Sequence, residues 1–388
     1  MDVVLVSRMP PTPCGVAEYT SMLLNSLARV PGMRISVLGG DAPGLELGAR
    51  YRDLYSDIEV LHCFTNGNVS YLPKCLAEVG EPSILHIQHE YGIFTDTEAL
   101  LSFIKWVSSL EVKIVLTLHT VVHALGKTRD LMAQRLLVNN SRAVIVHSVL
   151  QEQELFMQGF PEERVYRIPH GTLINPYINT PKSKLLDNLP LPEAAEGKSI
   201  VALVGFIRAK DKDYLSVVKA VEALSRKYDV MLVVAGSTQG EEVETTLIEL
   251  ELERLAREKS YIFFLQGFLD RFTLLKLLAA SDVVVIPEVV REEGRPIGIS
   301  GVFHLAIGSK KPVICTRSHK LVECNLIAPE LTLHNLTVDM LVKKLSEVLE
   351  RSGHVRKAVE RLWNYAKETS WDRVAEKHYE FYSELLER

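Results

Sequence analysis

Val283-Val284-Val285-Ile286-Pro287 is followed, after a loop, by Ser300-Gly301-Val302-Phe303-His304-Leu305-Ala306-Ile307-Gly308 and then by Lys311-Pro312-Val313-Ile314. The first and last segments are short, Val/Ile-rich and without polar alternation, the pattern of strands buried on both faces. The middle segment reads as a helix that opens on Ser-Gly. A helix opening at the carboxyl end of a parallel strand points bare backbone N–H groups at whatever binds there, which favours an anion such as a phosphate.

The same alternation runs through the whole chain. Buried-strand runs recur at Val3–Val6, Ile35–Leu38, Val60–Cys63, Ile84–Ile87, Ile114–Leu118, Ala143–Val146 and Val165–Ile168. They resume at Val201–Val204, Met231–Ala235, Ile262–Leu265, Val283–Ile286 and Pro312–Cys315. Helices fit between them; Val16, Tyr19, Leu23 and Leu27, for example, recur at helical spacing. The alternation restarts after Ile174–Gly197, a polar stretch with Pro176, Pro181, Pro190 and Pro192 and no clear period. The expectation is an α/β chain of two doubly wound, Rossmann-like domains facing each other across a cleft. Their bounds are 1–178 and 198–370, with a linker at 179–197. From Ser370 to Arg388, residues Trp371, Val374, Ala375, His378, Tyr382 and Leu385 fall mostly on one face. That segment, 371–388, reads as a helix crossing back to the first domain.

Composition narrows the function classes. The 388 residues are 47% hydrophobic and 24% charged, an ordinary globular balance. A net charge of −5 argues against broad nucleic-acid binding and gives no global pull toward anionic membranes. Peripheral membrane contact through a local basic patch stays compatible with it. The five cysteines, Cys14, Cys63, Cys75, Cys315 and Cys324, include no CxxC. Two of them lie in or beside apolar runs, as buried free thiols do, which points to a reducing, cytoplasmic setting. Met1–Val6 is too short and lacks the basic start of a secretory signal. No apolar run approaches the roughly 20 residues of a membrane span.

Six segments could carry chemistry. After the first strand, Pro10-Pro11-Thr12-Pro13-Cys14-Gly15 stiffens a turn and opens a helix on Gly15, where a ligand could approach the backbone; the glycine would also suit a plain tight turn. His86-Ile87-Gln88-His89-Glu90 crowds polar groups at a strand end. Its spacing is not that of a zinc motif, and no Cys or Asp completes a ligand set, so Glu90 and its neighbours read as lining a cleft. Leu118-His119-Thr120 ends another strand in a histidine able to hydrogen-bond a hydroxyl or phosphate, or merely to be satisfied within the fold. Gly205-Phe206-Ile207-Arg208-Ala209-Lys210-Asp211-Lys212-Asp213 offers a guanidinium fork and ammonium groups for phosphate oxygens. With lysines on both sides, its Asp-x-Asp is a poor metal site. Pro169-His170-Gly171 and Gly267-Phe268-Leu269 mark strand-to-helix turns.

Taken in order, these segments resemble the family 4 retaining glycosyltransferases of GT-B fold, over nearly the whole chain. The resemblance implies that Gly15 lies in a loop near a donor diphosphate and that His119 contacts the transferred sugar. It implies that Arg208 and Lys212, with Lys210 as runner-up, form a phosphate pair. Gly267-Phe268-Leu269 would meet the base, and Ser300-Gly301-Val302-Phe303 would hold phosphate by backbone N–H groups. The family's two glutamates eight apart fall on Ile297 and Leu305, neither acidic; a shift brings in Glu293 as the first, with Gly301 at the second. The implied reaction is transfer of a sugar from a nucleoside diphosphate sugar to an acceptor hydroxyl, with retention at the anomeric carbon and no metal or other cofactor. The acceptor could be a sugar, a lipid-linked or another small molecule. Two other readings stand beside it: an inverting transferase or nucleotide-sugar epimerase, and a non-catalytic partner of an active transferase.

Overall fold

The computed structural model describes residues 1–65, 67–240, 242–289 and 294–388. Glu293, the candidate first glutamate, lies outside the described residues. The chain forms two compact units: Met1–Gly171 with Glu293–Ile299 and Thr369–Arg388, and Thr172–Glu292 with Ser300–Glu368.

The first unit holds strands β1 (Asp2–Arg8), β2 (Arg34–Gly40), β3 (Arg50–Arg52), β4 (Glu59–Phe64), β5 (Ile84–His89), β6 (Lys113–Leu118), β7 (Ala143–Val146) and β8 (Val165–Arg167). They make one sheet in the order β3-β4-β2-β1-β5-β6-β7-β8, parallel throughout except for β3, which runs against β4. Val3 to Val6 of β1 pair with both Ile35–Leu38 and Ile84–Ile87, so β1 is central and these four side chains are buried. The winding direction reverses between β1 and β5. Open α/β sheets bind ligands at such a reversal, outside the carboxyl ends of the strands.

The second unit holds β9 (Ser199–Val204), β10 (Val230–Gly236), β11 (Ile262–Gln266), β12 (Val283–Ile286), β13 (Val313–Thr316) and β14 (Thr332–Leu333). Their order is β11-β10-β9-β12-β13-β14, all parallel. Here the reversal falls between β9 and β12. Every side chain of β12 is buried, as its unbroken Val-Val-Val-Ile run requires. All twelve strand runs read from the sequence are present.

The C-terminal helix Trp371–Glu387 belongs to the first unit and packs on the helix Gly15–Leu27. It buries Trp371, Val374, Ala375, His378, Phe381, Tyr382 and Leu385. A Cβ on Gly171 would overlap the Trp371 indole, so that turn needs glycine for close approach.

Two expectations are corrected. The stretch 179–197 does not stand between the units but belongs to the second, where Leu185, Leu189 and Ala195 join the core. Apolar side chains in a polar, proline-broken segment are enough to fold it down. The cysteines are not all free thiols: Cys63 pairs with Cys75 and Cys315 with Cys324, leaving Cys14 buried and unpaired. The ground for a reducing compartment is thereby removed. Among the described residues, no helix is long and apolar enough to cross a membrane.

Candidate functional site

In the second unit the site is built around the turn that leaves β9. Gly205 has φ +103°, a conformation that side-chain-bearing residues rarely adopt. A Cβ there would lie 2.9 Å from Val302 Cγ2 and 3.5 Å from Lys212 Nζ. One glycine thus brings a lysine ammonium and the first turn of the helix Gly301–Gly308 together. Ser300 caps that helix, its hydroxyl oxygen accepting from the Phe303 N–H at 3.3 Å. The N–H groups of Gly301 and Val302 precede any intrahelical partner and carry the positive end of the helix dipole.

Lys212 is partly buried, and its Nζ donates to the Phe206 carbonyl at 3.1 Å. Burial brings its pKa down to about 8; Glu288 opposes this, while Arg208 and Lys320 reinforce it. At pH 7 about nine in ten molecules keep the charge. Arg208 lies against Gln239 and 3.4 Å from Asp211 Oδ2, with 43% of its side chain exposed. Lys320 reaches Asp211 at 3.3 Å and Glu288 at 3.5 Å. The main chain laces the two sides of the reversal together: Asp213 N–H donates to Pro287 O at 3.0 Å, and Val289 N–H to Asp211 O at 2.7 Å. Three cations and two carboxylates therefore meet at the carboxyl ends of β9, β12 and β13, leaving one net positive charge. Such a cluster suits an incoming multivalent anion.

Lys210 instead turns to Glu242 at 2.8 Å on the surface. Asp213 caps the helix Tyr214–Leu224, accepting from Ser216 N–H at 3.0 Å. Beyond β11, Gly267 has φ +114° and donates its N–H to Gly236 O at 2.9 Å. The next residue, Phe268, is 42% exposed, and its ring lies 5.7 Å from that of Phe206, tilted by 30°. Leu269 packs partly buried against the core. The Phe206–Phe268 pair offers an apolar surface on which a flat ring can stack.

The first unit presents a different chemistry. His89 ends β5, and His119, His147 and His170 follow β6, β7 and β8, all four buried. Tyr19, from the helix that Gly15 opens, lies 4.7 Å from the His119 ring, 5.2 Å from His147, 5.1 Å from His170 and 5.0 Å from Trp371. Burial drives the His119 pKa well below its ordinary value, aided by the neighbouring histidines, so its ring is neutral at pH 7. Its Nε2 meets Gln88 Oε1 at 2.9 Å. Burial also lowers His147 to about 4 and His170 to about 3. The Tyr19 hydroxyl, His147 Nε2 and Trp371 Nε1 are buried without a hydrogen-bond partner. Glu90 accepts from Thr120 Oγ1 at 2.7 Å and from Tyr91 N–H at 3.0 Å. Nothing lies within 4 Å of a Cβ placed on Gly15, and its φ is not positive, so the fold itself does not demand glycine there. Ile297, at the first acidic position of the sequence pattern, is buried and exchanges backbone hydrogen bonds with Val121 at 2.7 and 3.0 Å. Leu305 packs on the second core. Among the described residues no three His, Cys, Asp or Glu groups are placed to hold a metal ion.

Two family descriptions match this chain: Glycosyltransferase Family 4 over residues 13–172 and Glycosyl transferases group 1 over residues 191–369. They lie end to end along almost its whole length. The chain is a family 4 type glycosyltransferase of GT-B fold. A glycosyltransferase from Rickettsia africae is similar in structure, with TM-score 0.71, 17% identity and 99% and 98% of the two chains covered. So are HepE of Anabaena, solved with UDP-glucose (0.73, 16%, 98% and 99%), and sucrose-phosphate synthase of Thermosynechococcus elongatus (0.72, 17%, 99% and 99%). No curated protein sequence matches.

Sequence reading of this transferase missed Lys320, Glu288 and Gln239. Each follows a strand of the second sheet, so strand-end position was the available signal.

Proposed function

We propose that this glycosyltransferase moves a sugar from a nucleoside diphosphate sugar to an acceptor hydroxyl with retention at the anomeric carbon, and needs no metal to do so. The observation that carries the reading is the packing of the Lys212 ammonium and the first turn of helix Gly301–Gly308 on Gly205. As the glycosidic bond breaks, negative charge grows on the leaving diphosphate. Donors already in place stabilise that charge without reorganising. Lys212 supplies a proton-bearing ammonium, Arg208 a partly exposed guanidinium, and Gly301 and Val302 their N–H groups. Arrival of the diphosphate raises the proton affinity of Lys212, so the lysine stays charged through the reaction. The neutral His119 ring can hydrogen-bond a sugar hydroxyl without adding charge. The departing phosphate oxygen takes the proton of the incoming hydroxyl on the face that the leaving group vacates, which gives retention. Phe206 and Phe268 provide a stacking surface for the base. The relative solved with UDP-glucose supports the donor class.

Thermal unfolding with a panel of nucleoside diphosphates and their sugars, with and without magnesium, tests the donor. One nucleotide should raise the melting temperature, since binding to the folded state alone stabilises it. The shift should be the same without magnesium. NMR of the product should show the donor's anomeric configuration; the opposite anomer overturns retention.

A further inference from the structure

Gln88 stands on β5, the strand beside β1, and its side chain is fully buried. An amide buried without partners costs free energy, so both of its ends need hydrogen bonds. Here each end finds a histidine. Gln88 Oε1 lies 2.9 Å from His119 Nε2, and Gln88 Nε2 lies 3.3 Å from His86 Nε2. His86 is held in turn by Thr117 Oγ1, 2.7 Å from the same Nε2, and by Tyr382 Oη, 2.6 Å from Nδ1. All four bonds are buried, and all five residues belong to the first unit.

The chemistry of each atom gives this chain of bonds a direction. An amide oxygen only accepts, so the His119 Nε2 that faces it carries a proton. An amide nitrogen only donates, so His86 Nε2 is bare and accepts from Gln88 and from the Thr117 hydroxyl. Both histidines are neutral, because burial holds them well below their ordinary pKa, and a neutral imidazole has a single N–H. The proton of His86 therefore sits on Nδ1 and is donated to Tyr382 Oη. The proton of His119 is given to Gln88, which leaves His119 Nδ1 with a lone pair. Nδ1 bonds to none of the described residues and is not among the atoms buried without a partner, so it is the nitrogen that reaches solvent. The Tyr19 ring packs edge-on against this imidazole at 4.7 Å and 83°, which hinders its rotation.

We infer that Gln88 is a positioning residue: it locks His119 in the Nε2–H form, so that Nδ1 accepts a hydrogen bond from a hydroxyl of the transferred sugar. The sugar contact rests on the donor reading above; the tautomer does not. A bare nitrogen has no proton to offer a phosphate oxygen, so Gln88 should matter for the sugar and not for the diphosphate.

Two measurements on the full chain test this. The first is a long-range proton–nitrogen correlation spectrum of protein labelled with 15N-histidine, in which protonated and bare ring nitrogens resonate far apart. His119 is assigned by its loss in His119→Asn. Wild-type His119 should be protonated on Nε2. Gln88→Met, similar in size but without the amide, should show both forms, and Gln88→Glu, which keeps an acceptor oxygen, should return to Nε2–H. The second is calorimetry with the nucleoside diphosphate sugar that stabilises the protein most and with its parent nucleoside diphosphate. Gln88→Met should bind the sugar nucleotide about threefold to tenfold more weakly, the worth of one neutral hydrogen bond, with the parent nucleotide unaffected. Gln88→Glu should recover most of the loss. Wild-type His119 protonated on Nδ1, or a single Nε2–H form in Gln88→Met, overturns the inference. Equal weakening of both ligands overturns it too, since that marks a general loss of structure. The wild-type spectrum decides the tautomer even if a variant folds poorly. A wild type that binds no nucleotide sugar overturns the donor reading and the sugar contact with it, whatever the tautomer.

Discussion

Acid should unfold the first unit by way of its histidines. His89, His147, His170 and His378 are buried neutral, with pKa values lowered by burial to about 4, 4, 3 and 4. In an unfolded chain each would titrate near 6.5. The unfolded state therefore binds protons first, and stability is full above about pH 6.5 and falls as pH drops toward 4. At pH 5 an unfolded histidine is almost wholly protonated and a buried one almost not at all. The loss is about 2 kcal/mol per residue relative to pH 8, or about 8 kcal/mol for the four. His86 and His119, lowered in the same direction, add to it. Half that sum would still be large against the 5–15 kcal/mol typical of a domain. Urea midpoints at pH 8, 7, 6 and 5 provide the assay. They are best followed by the fluorescence of Trp371, which packs against Tyr19 and His170, after replacing the other two tryptophans, Trp106 and Trp363. The midpoint should hold to about pH 6.5 and then collapse. His147→Asn should flatten the slope by up to one proton, about 1.4 kcal/mol per pH unit. A midpoint that stays level from pH 8 to 5 refutes the reasoning.

Gly171→Ala drives a methyl group into the Trp371 indole and should cost about 1–3 kcal/mol, read as a lower melting temperature. Asp213→Ala removes a helix cap and should cost about 1 kcal/mol without abolishing nucleotide binding. Lys320→Met leaves Asp211 and Glu288 facing the phosphate site without their shared ammonium; nucleotide affinity should fall, and Lys320→Arg should recover most of it.

The fold was legible because parallel strands buried on both faces leave unbroken Val/Ile runs. The two strands that left no such trace are edges: Arg50-Tyr51-Arg52 is polar and only three residues long, and Thr332-Leu333 is a two-residue pairing. At the site, Ser300-Gly301 opened the helix as expected, because a serine hydroxyl is well suited to accept from the N–H three residues on, as it does from Phe303. Choosing between Lys210 and Lys212 needed three dimensions: one ammonium turns to Glu242 on the surface and the other lies partly buried beside Gly205. Lys320 was hidden because β13 comes more than a hundred residues after the Arg208 turn and only sheet order makes them neighbours. The four strand-end histidines were visible one at a time, but not as a row. The cysteine pairings, 12 and 9 residues apart, likewise depend on how strand and helix pack.

The central claim is that Lys212, with the helix N-terminus beside it, binds the donor diphosphate. Titration calorimetry with the nucleoside diphosphate that stabilises the protein most, at pH 7 and pH 9, tests it on the wild type and Lys212→Met. The free lysine titrates near 8 and is needed charged, so wild-type affinity should be about tenfold weaker at pH 9 than at pH 7. Lys212→Met should bind at least about tenfold more weakly at pH 7, as loss of a charged hydrogen bond predicts, and should show no such pH dependence. Unchanged affinity in Lys212→Met, or wild-type affinity equal at the two pH values, would contradict the account.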